Sequence, residues 1–183
     1  MQKSRIILTK HQLDFARTSE YPLTKHAIIQ NIVQLFEELG QSLQYNSWEL
    51  DHKEYKITRG ENYQLMPYVV LDYPQLKANQ FKLVTRTLFW WGKYCSLNLI
   101  IHKDLVKDSP VQMNETLYLQ TDNKLWNNDI SQGYKPVETV DKSSTQTDFI
   151  RLVKVVKIEE IDSLPECISS YRDWIKLLLN KAV

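Results

Sequence analysis

Tyr94, Ser96, Asn98 and His102 stand at even spacings in an otherwise apolar stretch, directly after the run Phe89-Trp90-Trp91-Gly92-Lys93. Even spacing on a strand places side chains on one face, so a phenol, a hydroxyl, an amide and an imidazole gather there. The chemistry this favours is recognition. Aromatic rings supply contact area and a few fixed donors and acceptors orient a sugar, a base or a small aromatic molecule. A nucleophile with its base is not expected from Cys95 and His102, because their odd separation puts them on opposite faces of an uninterrupted strand. His11, His26 and His52 fall on different expected elements without partners at metal-ligand spacing. Gly40, Gly60, Gly92 and Gly133 are solitary, which removes P-loop and dinucleotide fingerprints. No cofactor and no metal are expected.

A second constellation joins Arg59, Glu61 and Tyr63 to Asp72 and Arg86. Asp72 ends an apolar run and needs a partner if it is buried ionised, and Arg59 or Arg86 can form a two-point pair with it. Such a pair more often serves structure than chemistry. The enzymatic alternative is a hydrolase or transferase that gathers Asp72, Arg59, Glu61 and His102 in one cleft.

These groups are positioned by a hairpin. Val84 to Trp91 and Tyr94 to His102 read as paired strands, and Gly92-Lys93 fits the Gly-first two-residue turn whose twist suits such pairs. In that register Trp91 opposes Tyr94, Trp90 opposes Cys95, Phe89 opposes Ser96 and Thr87 opposes Asn98. One face then carries Val84, Arg86, Leu88, Trp90, Cys95, Leu97, Leu99 and Ile101 and belongs to the core. The other carries Thr85, Thr87, Phe89, Trp91, Tyr94, Ser96, Asn98, Ile100 and His102 and is the candidate binding surface, with Trp91, Tyr94, Ser96, Asn98 and His102 as its expected contacts. The competing expectation is that this face is covered and its polar groups satisfy one another, or that it is the solvent side of the sheet.

Around the hairpin, Thr9 can cap a short helix over Lys10 to Ser19 that Pro22 closes. A second helix from about Thr24 carries Ile28, Ile29, Ile32, Val33, Leu35, Phe36, Leu39 and Leu43 at core-facing spacing, with Gly40 ending its regular part. Trp48 and Tyr55 anchor a polar stretch with a short strand at Tyr55 to Thr58. Met66 to Asp72 is a strand buried on both faces, started by Pro67 and stopped by Pro74. A short strand is expected at Leu117 to Gln120, turn chemistry at Asn127-Asn128-Asp129, and a mobile surface loop over Glu138 to Asp148. In Phe149 to Ile158, Arg151, Lys154 and Lys157 recur every three residues as on a helix, but Val153, Val155, Val156 and Ile158 are β-branched, so the segment reads as a strand. Asp162-Ser163 can cap a final helix with Leu164, Ile168, Tyr171, Trp174, Ile175, Leu178 and Leu179 on one face. Helices at both ends around clustered strands imply an α+β fold with an antiparallel sheet centred on the hairpin.

The chain of 183 residues fits one soluble domain over 1–183, and 43% hydrophobic residues suffice for a sizeable core. With 23 basic and 22 acidic side chains there is no field that argues for nucleic acid or an anionic membrane. Lys3, Arg5, Lys10, Arg17 and Lys25 outnumber Asp14 and Glu20 near the start. No secretory or membrane-spanning run is seen, and Cys95 and Cys167 lie among apolar neighbours, so a reduced, cytoplasmic protein is expected.

The block Arg59-Gly60-Glu61-Asn62-Tyr63, Pro67-Tyr68, Leu71-Asp72-Tyr73-Pro74 and Arg86-Thr87-Leu88-Phe89-Trp90-Trp91-Gly92 resembles a small family of uncharacterised bacterial proteins. It covers about the middle third of the chain and implies a structurally central block, with no catalytic or binding roles to carry over. The functional expectation is a non-enzymatic domain that binds a small molecule or a partner protein through the polar aromatic face. A third expectation is a homo-oligomer formed through that face or through an edge strand such as Phe149 to Ile158, with Trp126 and Tyr134 as exposed aromatics that fit such a contact.

Overall fold

The computed structural model describes residues 8–45, 54–74, 82–124 and 126–179. Within them, helices α1 (Lys10–Arg17), α2 (Glu20–Tyr45), α3 (Leu164–Cys167) and α4 (Ser169–Leu178) accompany seven strands, β1 (Lys56–Tyr63), β2 (Met66–Tyr73), β3 (Leu83–Trp90), β4 (Tyr94–His102), β5 (Val111–Gln120), β6 (Tyr134–Val140) and β7 (Phe149–Val156). The strands build one antiparallel sheet in the order β1-β2-β3-β4-β7-β5-β6. The fold is therefore α+β, with the β3–β4 hairpin near the middle of the sheet. Trp48 and His52 lie outside the described residues.

Both long helices cover the same side of the sheet. Ile29, Ile32, Phe36, Leu39 and Leu43 of α2 and Leu164, Ile168, Tyr171, Trp174, Ile175 and Leu178 of the C-terminal pair share one core with Val69, Leu71, Phe89, Leu97, Leu99, Ile101 and Leu152. The three-and-four spacing of the helices and the alternation of the strands each supply one half of that interface. In β2, Val69 to Tyr73 are buried on both faces, as the apolar run requires.

Several expected boundaries shift, for identifiable reasons. Thr9 caps α1 in a reciprocal arrangement with Gln12, but Pro22 does not close that helix. It sits in the first turn of α2, where a missing N–H leaves no helical acceptor unfilled. Gly40 does not end α2 either. It is buried within it, and a Cβ there would lie 2.6 Å from the Tyr55 ring, so glycine permits the ring to pack on the helix. The expected loop over 138–148 is partly regular, since β6 runs to Val140 and pairs with β5, and Thr145 is buried with its carbonyl accepting from Lys103 Nζ at 2.6 Å. Finally, β7 is no edge strand: it lies between β4 and β5.

Candidate functional site

The turn after β3 decides which side chains meet. Three residues, Trp91-Gly92-Lys93, connect the strands, so that Trp90 pairs with Tyr94, Phe89 with Cys95, Thr87 with Leu97 and Arg86 with Asn98. Lys93 N–H donates to the Trp90 carbonyl at 3.1 Å and Gly92 has a φ of +67°, as at the third position of a type II turn. The expected two-residue turn would have put the glycine at the second position. Its displacement moves every β3 side chain to the opposite face from the one expected.

Trp91 therefore leaves the candidate surface. It packs half-buried against the main core, edge-on to Phe89, while its N–H donates to the Pro67 carbonyl at 3.0 Å. Trp90 takes its place, buried against Val70 and Leu88 and flanked by Tyr63, Tyr68 and Tyr94. The rings of Tyr63 and Tyr94 stand edge-on to it at centroid distances of 4.9 and 5.6 Å, and its indole N–H donates to the Tyr63 carbonyl at 3.2 Å. Tyr94, Ser96, Asn98 and His102 do share a face, as their spacing requires, but His102 stands apart at the far end of β4. There its Nδ1 accepts from Asp104 N–H at 3.3 Å and its ring meets the edge of Phe149.

The second constellation divides. Asp72 is held by Arg86 in the expected two-point pair, at 2.7 Å from Nε and 2.9 Å from Nη2. Tyr63 joins the Trp90 cluster. Arg59 is exposed and lies opposite Val69, whose side chain enters the helix-covered core, and Glu61 is exposed and pairs with Lys25. Arg59, Glu61, Asp72 and His102 are thus spread over an edge strand, an interior ion pair and a distant strand end. No common cleft gathers them for the hydrolase or transferase chemistry considered above.

What the surface gains instead is Arg151. It stands on β7 opposite Ile100 and is 1% exposed. Its Nε and Nη2 donate to Asn98 Oδ1 at 3.1 and 2.5 Å, its Nη1 to the Asn127 carbonyl at 2.7 Å, and its Nη2 also to Asn128 Oδ1 at 2.8 Å. Asn98 completes the group by donating from Nδ2 to the Arg86 carbonyl at 3.1 Å and to Ser96 Oγ at 3.0 Å.

The segment joining β5 to β6 folds back across this face. Tyr94 Oη donates to the Asn128 carbonyl at 2.6 Å and accepts from Ile130 N–H at 3.1 Å. Tyr63 Oη accepts from Asn128 N–H at 3.0 Å, and Tyr134 Oη donates to the Asn127 carbonyl at 2.6 Å. Trp126 lies on the outside, 44% exposed, with the Arg86 guanidinium 4.5 Å from its ring centre. From the opposite side of the sheet, the buried Tyr171 hydroxyl of α4 reaches the ladder, accepting from Asn98 N–H at 3.0 Å and donating to the Arg86 carbonyl at 2.7 Å. One phenol thereby ties the helix-covered core to the two residues that organise the polar face.

Burial sets the protonation of these groups. It pushes the Tyr94 phenol up to about 12 and raises Tyr134 and Tyr171 as well. A phenol that keeps its proton longer when folded stabilises the fold fully below the ordinary value of 10.0 and loses that contribution as pH climbs through the folded value. Stability should therefore fall steeply between about pH 10 and pH 12. Phenolate absorbance from these three tyrosines should appear together with loss of near-ultraviolet circular dichroism, and early ionisation of a still-folded protein would contradict the buried arrangement.

Cys95, buried among core residues, has its thiol pushed up to about 12 by desolvation, and Cys167 is half-buried, both thiols being free. A thiolate is the reactive form, so alkylation of the native protein at neutral pH should modify Cys167 and spare Cys95, as peptide mass mapping would show. Rapid labelling of Cys95 would contradict its placement. Among the described residues no three His, Cys, Asp or Glu side chains are grouped to hold a metal ion, and no helix is long and apolar enough to cross a membrane.

Compared with known proteins, the chain matches no family model, no curated protein and no solved structure.

Proposed function

We propose that the chain is a non-enzymatic binding domain that takes a small molecule or a segment of a partner protein on the polar aromatic face of its sheet, in the place of its own residues 126–130. One observation carries this reading: Tyr63, Tyr94, Tyr134 and Arg151, from β1, β4, β6 and β7, all bond to the main chain of the single irregular stretch Asn127 to Ile130. Side chains that converge on main-chain groups are a ready platform for any ligand that offers carbonyl or ring acceptors at similar positions. The rings of Tyr63, Tyr68 and Trp90 add contact area beside those donors.

The titration of the site supports binding over catalysis. A general acid or base works best with a value near the operating pH, whereas burial pushes Tyr94, which bonds the covering segment, up to about 12. A cytoplasmic setting goes with this reading, supported by the two free thiols. Trp126, at the outer edge over Arg86, is the point from which the covering segment would lift.

Thermal shift across a panel of sugars, nucleobases, aromatic acids and short peptides tests the idea. Trp126→Ala, which loosens the cover, should show larger ligand-induced shifts than the unaltered protein, and Tyr94→Phe smaller ones. Equal shifts in all three proteins, or none with any compound, would remove the reading.

A further inference from the structure

We infer that the ligand of the polar face carries a carboxylate, and that Arg151 seats it where oxygens of Asn127 and Asn128 now lie. The inference rests on the reading that a ligand takes the place of residues 126–130, and it names the chemistry of that ligand. A guanidinium has two edges on which parallel N–H groups can hold a pair of oxygens. On Arg151 the two edges are used differently. The edge formed by Nε and Nη2 is closed by Asn98 Oδ1 at 3.1 and 2.5 Å, from a residue inside β4. The edge formed by Nη1 and Nη2 faces the covering segment, with the Asn127 carbonyl at 2.7 Å and Asn128 Oδ1 at 2.8 Å. The sheet therefore fixes the orientation of the guanidinium, and the segment fills the outer fork.

That filling comes from two separate neutral groups, a main-chain carbonyl and a side-chain amide. A carboxylate offers the same pair of donors two oxygens from one planar group, with charge shared between them. The Asn127 carbonyl also accepts from Tyr134 Oη at 2.6 Å, so one oxygen position receives a guanidinium and a phenol together. Burial raises the Tyr134 phenol above its ordinary value, which keeps it a donor at neutral pH. Converging donors of this kind favour a charged oxygen, because charge-assisted hydrogen bonds are roughly twice as strong as neutral ones.

Burial works against the charged form of Arg151, and the Arg86 charge adds to this. An anion delivered to the outer fork offsets both. The other end of the seat takes neutral groups, since the N–H groups of Asn128 and Ile130 are held by Tyr63 and Tyr94, whose rings flank Trp90. A carboxylate joined through an amide to an aromatic group matches this order of contacts. A free aromatic acid and the C-terminal end of a peptide both have that chemistry.

Isothermal titration calorimetry of the full chain with N-benzoylglycine and with N-acetylglycylphenylalanine, each against its carboxamide, tests this. Each acid should bind at least about tenfold more tightly than its amide, and the tighter of the two acids tells whether the source is a free aromatic acid or a peptide terminus. Asn128→Asp sets a carboxylate on the segment itself, so it should raise the Tm and weaken the binding of both acids. Arg151→Lys, which keeps a charge but loses the fork, should abolish the preference for acid over amide. Should the Arg151→Lys protein fail to fold, the two readouts of Asn128→Asp still decide. Acids and amides that bind equally would overturn the carboxylate while leaving the displacement of residues 126–130 in place. Inorganic phosphate that binds as tightly as the acids would overturn it in favour of a general anion site. A lowered Tm with undiminished acid binding in the Asn128→Asp protein would place the carboxylate away from Arg151. No binding by any of the four compounds, with amide exchange at Asn128 and Ile130 unchanged, would overturn both this inference and the reading it rests on.

Discussion

Replacing Arg151 with methionine should lower the stability of the protein by about 3–5 kcal/mol, the scale expected when buried acceptors lose their shared donor. The change leaves Asn98 Oδ1, the Asn127 carbonyl and Asn128 Oδ1 without the guanidinium that now donates to them. The Asn127 carbonyl keeps Tyr134 Oη, but Asn98 Oδ1 and Asn128 Oδ1 lose their donor at about 1–3 kcal/mol each, and some of that is recovered where the loosened 127–130 segment admits water. For a chain of this size the loss corresponds to roughly 6–20 °C in Tm. Urea unfolding followed by circular dichroism measures it. The pairing itself is read from a double-mutant cycle: Asn98→Leu with Arg151→Met should cost clearly less than the two single changes added together, because each orphans the other's partner. Additive losses would mean that Asn98 and Arg151 act separately.

The second large effect separates two neighbouring tryptophans. Trp90 is 1% exposed at the centre of the Tyr63, Tyr68 and Tyr94 rings, so Trp90→Ala should cost about 3–5 kcal/mol. It should also free the 127–130 segment, since Tyr63 and Tyr94 lose the ring they lean on. Trp91 is half-buried at the margin of the helix-covered core, and Trp91→Ala should cost well under half as much and leave the segment in place. Amide hydrogen exchange at Asn128 and Ile130, whose N–H groups are taken by Tyr63 and Tyr94, reports on the segment directly. Faster exchange in the Trp91 variant than in the Trp90 variant would reverse the assignment of faces.

Those same two residues show where the sequence was legible and where it was not. Alternation located β3 and β4 almost to the residue, because two apolar strands separated by a glycine leave few other readings. It could not fix the turn, since Gly92 serves equally at the second position of a two-residue turn or, as here, at the third position of a type II turn. That single step exchanged Trp90 for Trp91. Asp72 with Arg86 was foreseeable, because a carboxylate ending an apolar run demands a nearby partner. Arg151 was not, because Arg151, Lys154 and Lys157 recur every three residues, as on a helix, which left the segment's faces undefined. The available signal was its place between Ile150 and Leu152, in a strand whose β-branched run belongs in the interior. Asn127-Asn128-Asp129 showed turn chemistry but not their destination. Their anchors, Tyr63, Tyr94 and Arg151, lie on three strands far apart in the chain, and such contacts leave no local pattern. Gly40 and Pro22 misled for the complementary reason: each is a helix breaker by propensity, and each is tolerated by one particular neighbour or position.

Everything proposed for the polar face depends on which residues of β3 and β4 stand opposite one another. Cross-strand Hα–Hα nuclear Overhauser effects measure that pairing without reference to function. The structure predicts strong effects between Thr87 and Leu97 and between Phe89 and Cys95. Effects between Leu88 and Leu97 and between Trp90 and Cys95 would contradict it, and would return Trp91 to the face that carries Tyr94 and Asn98.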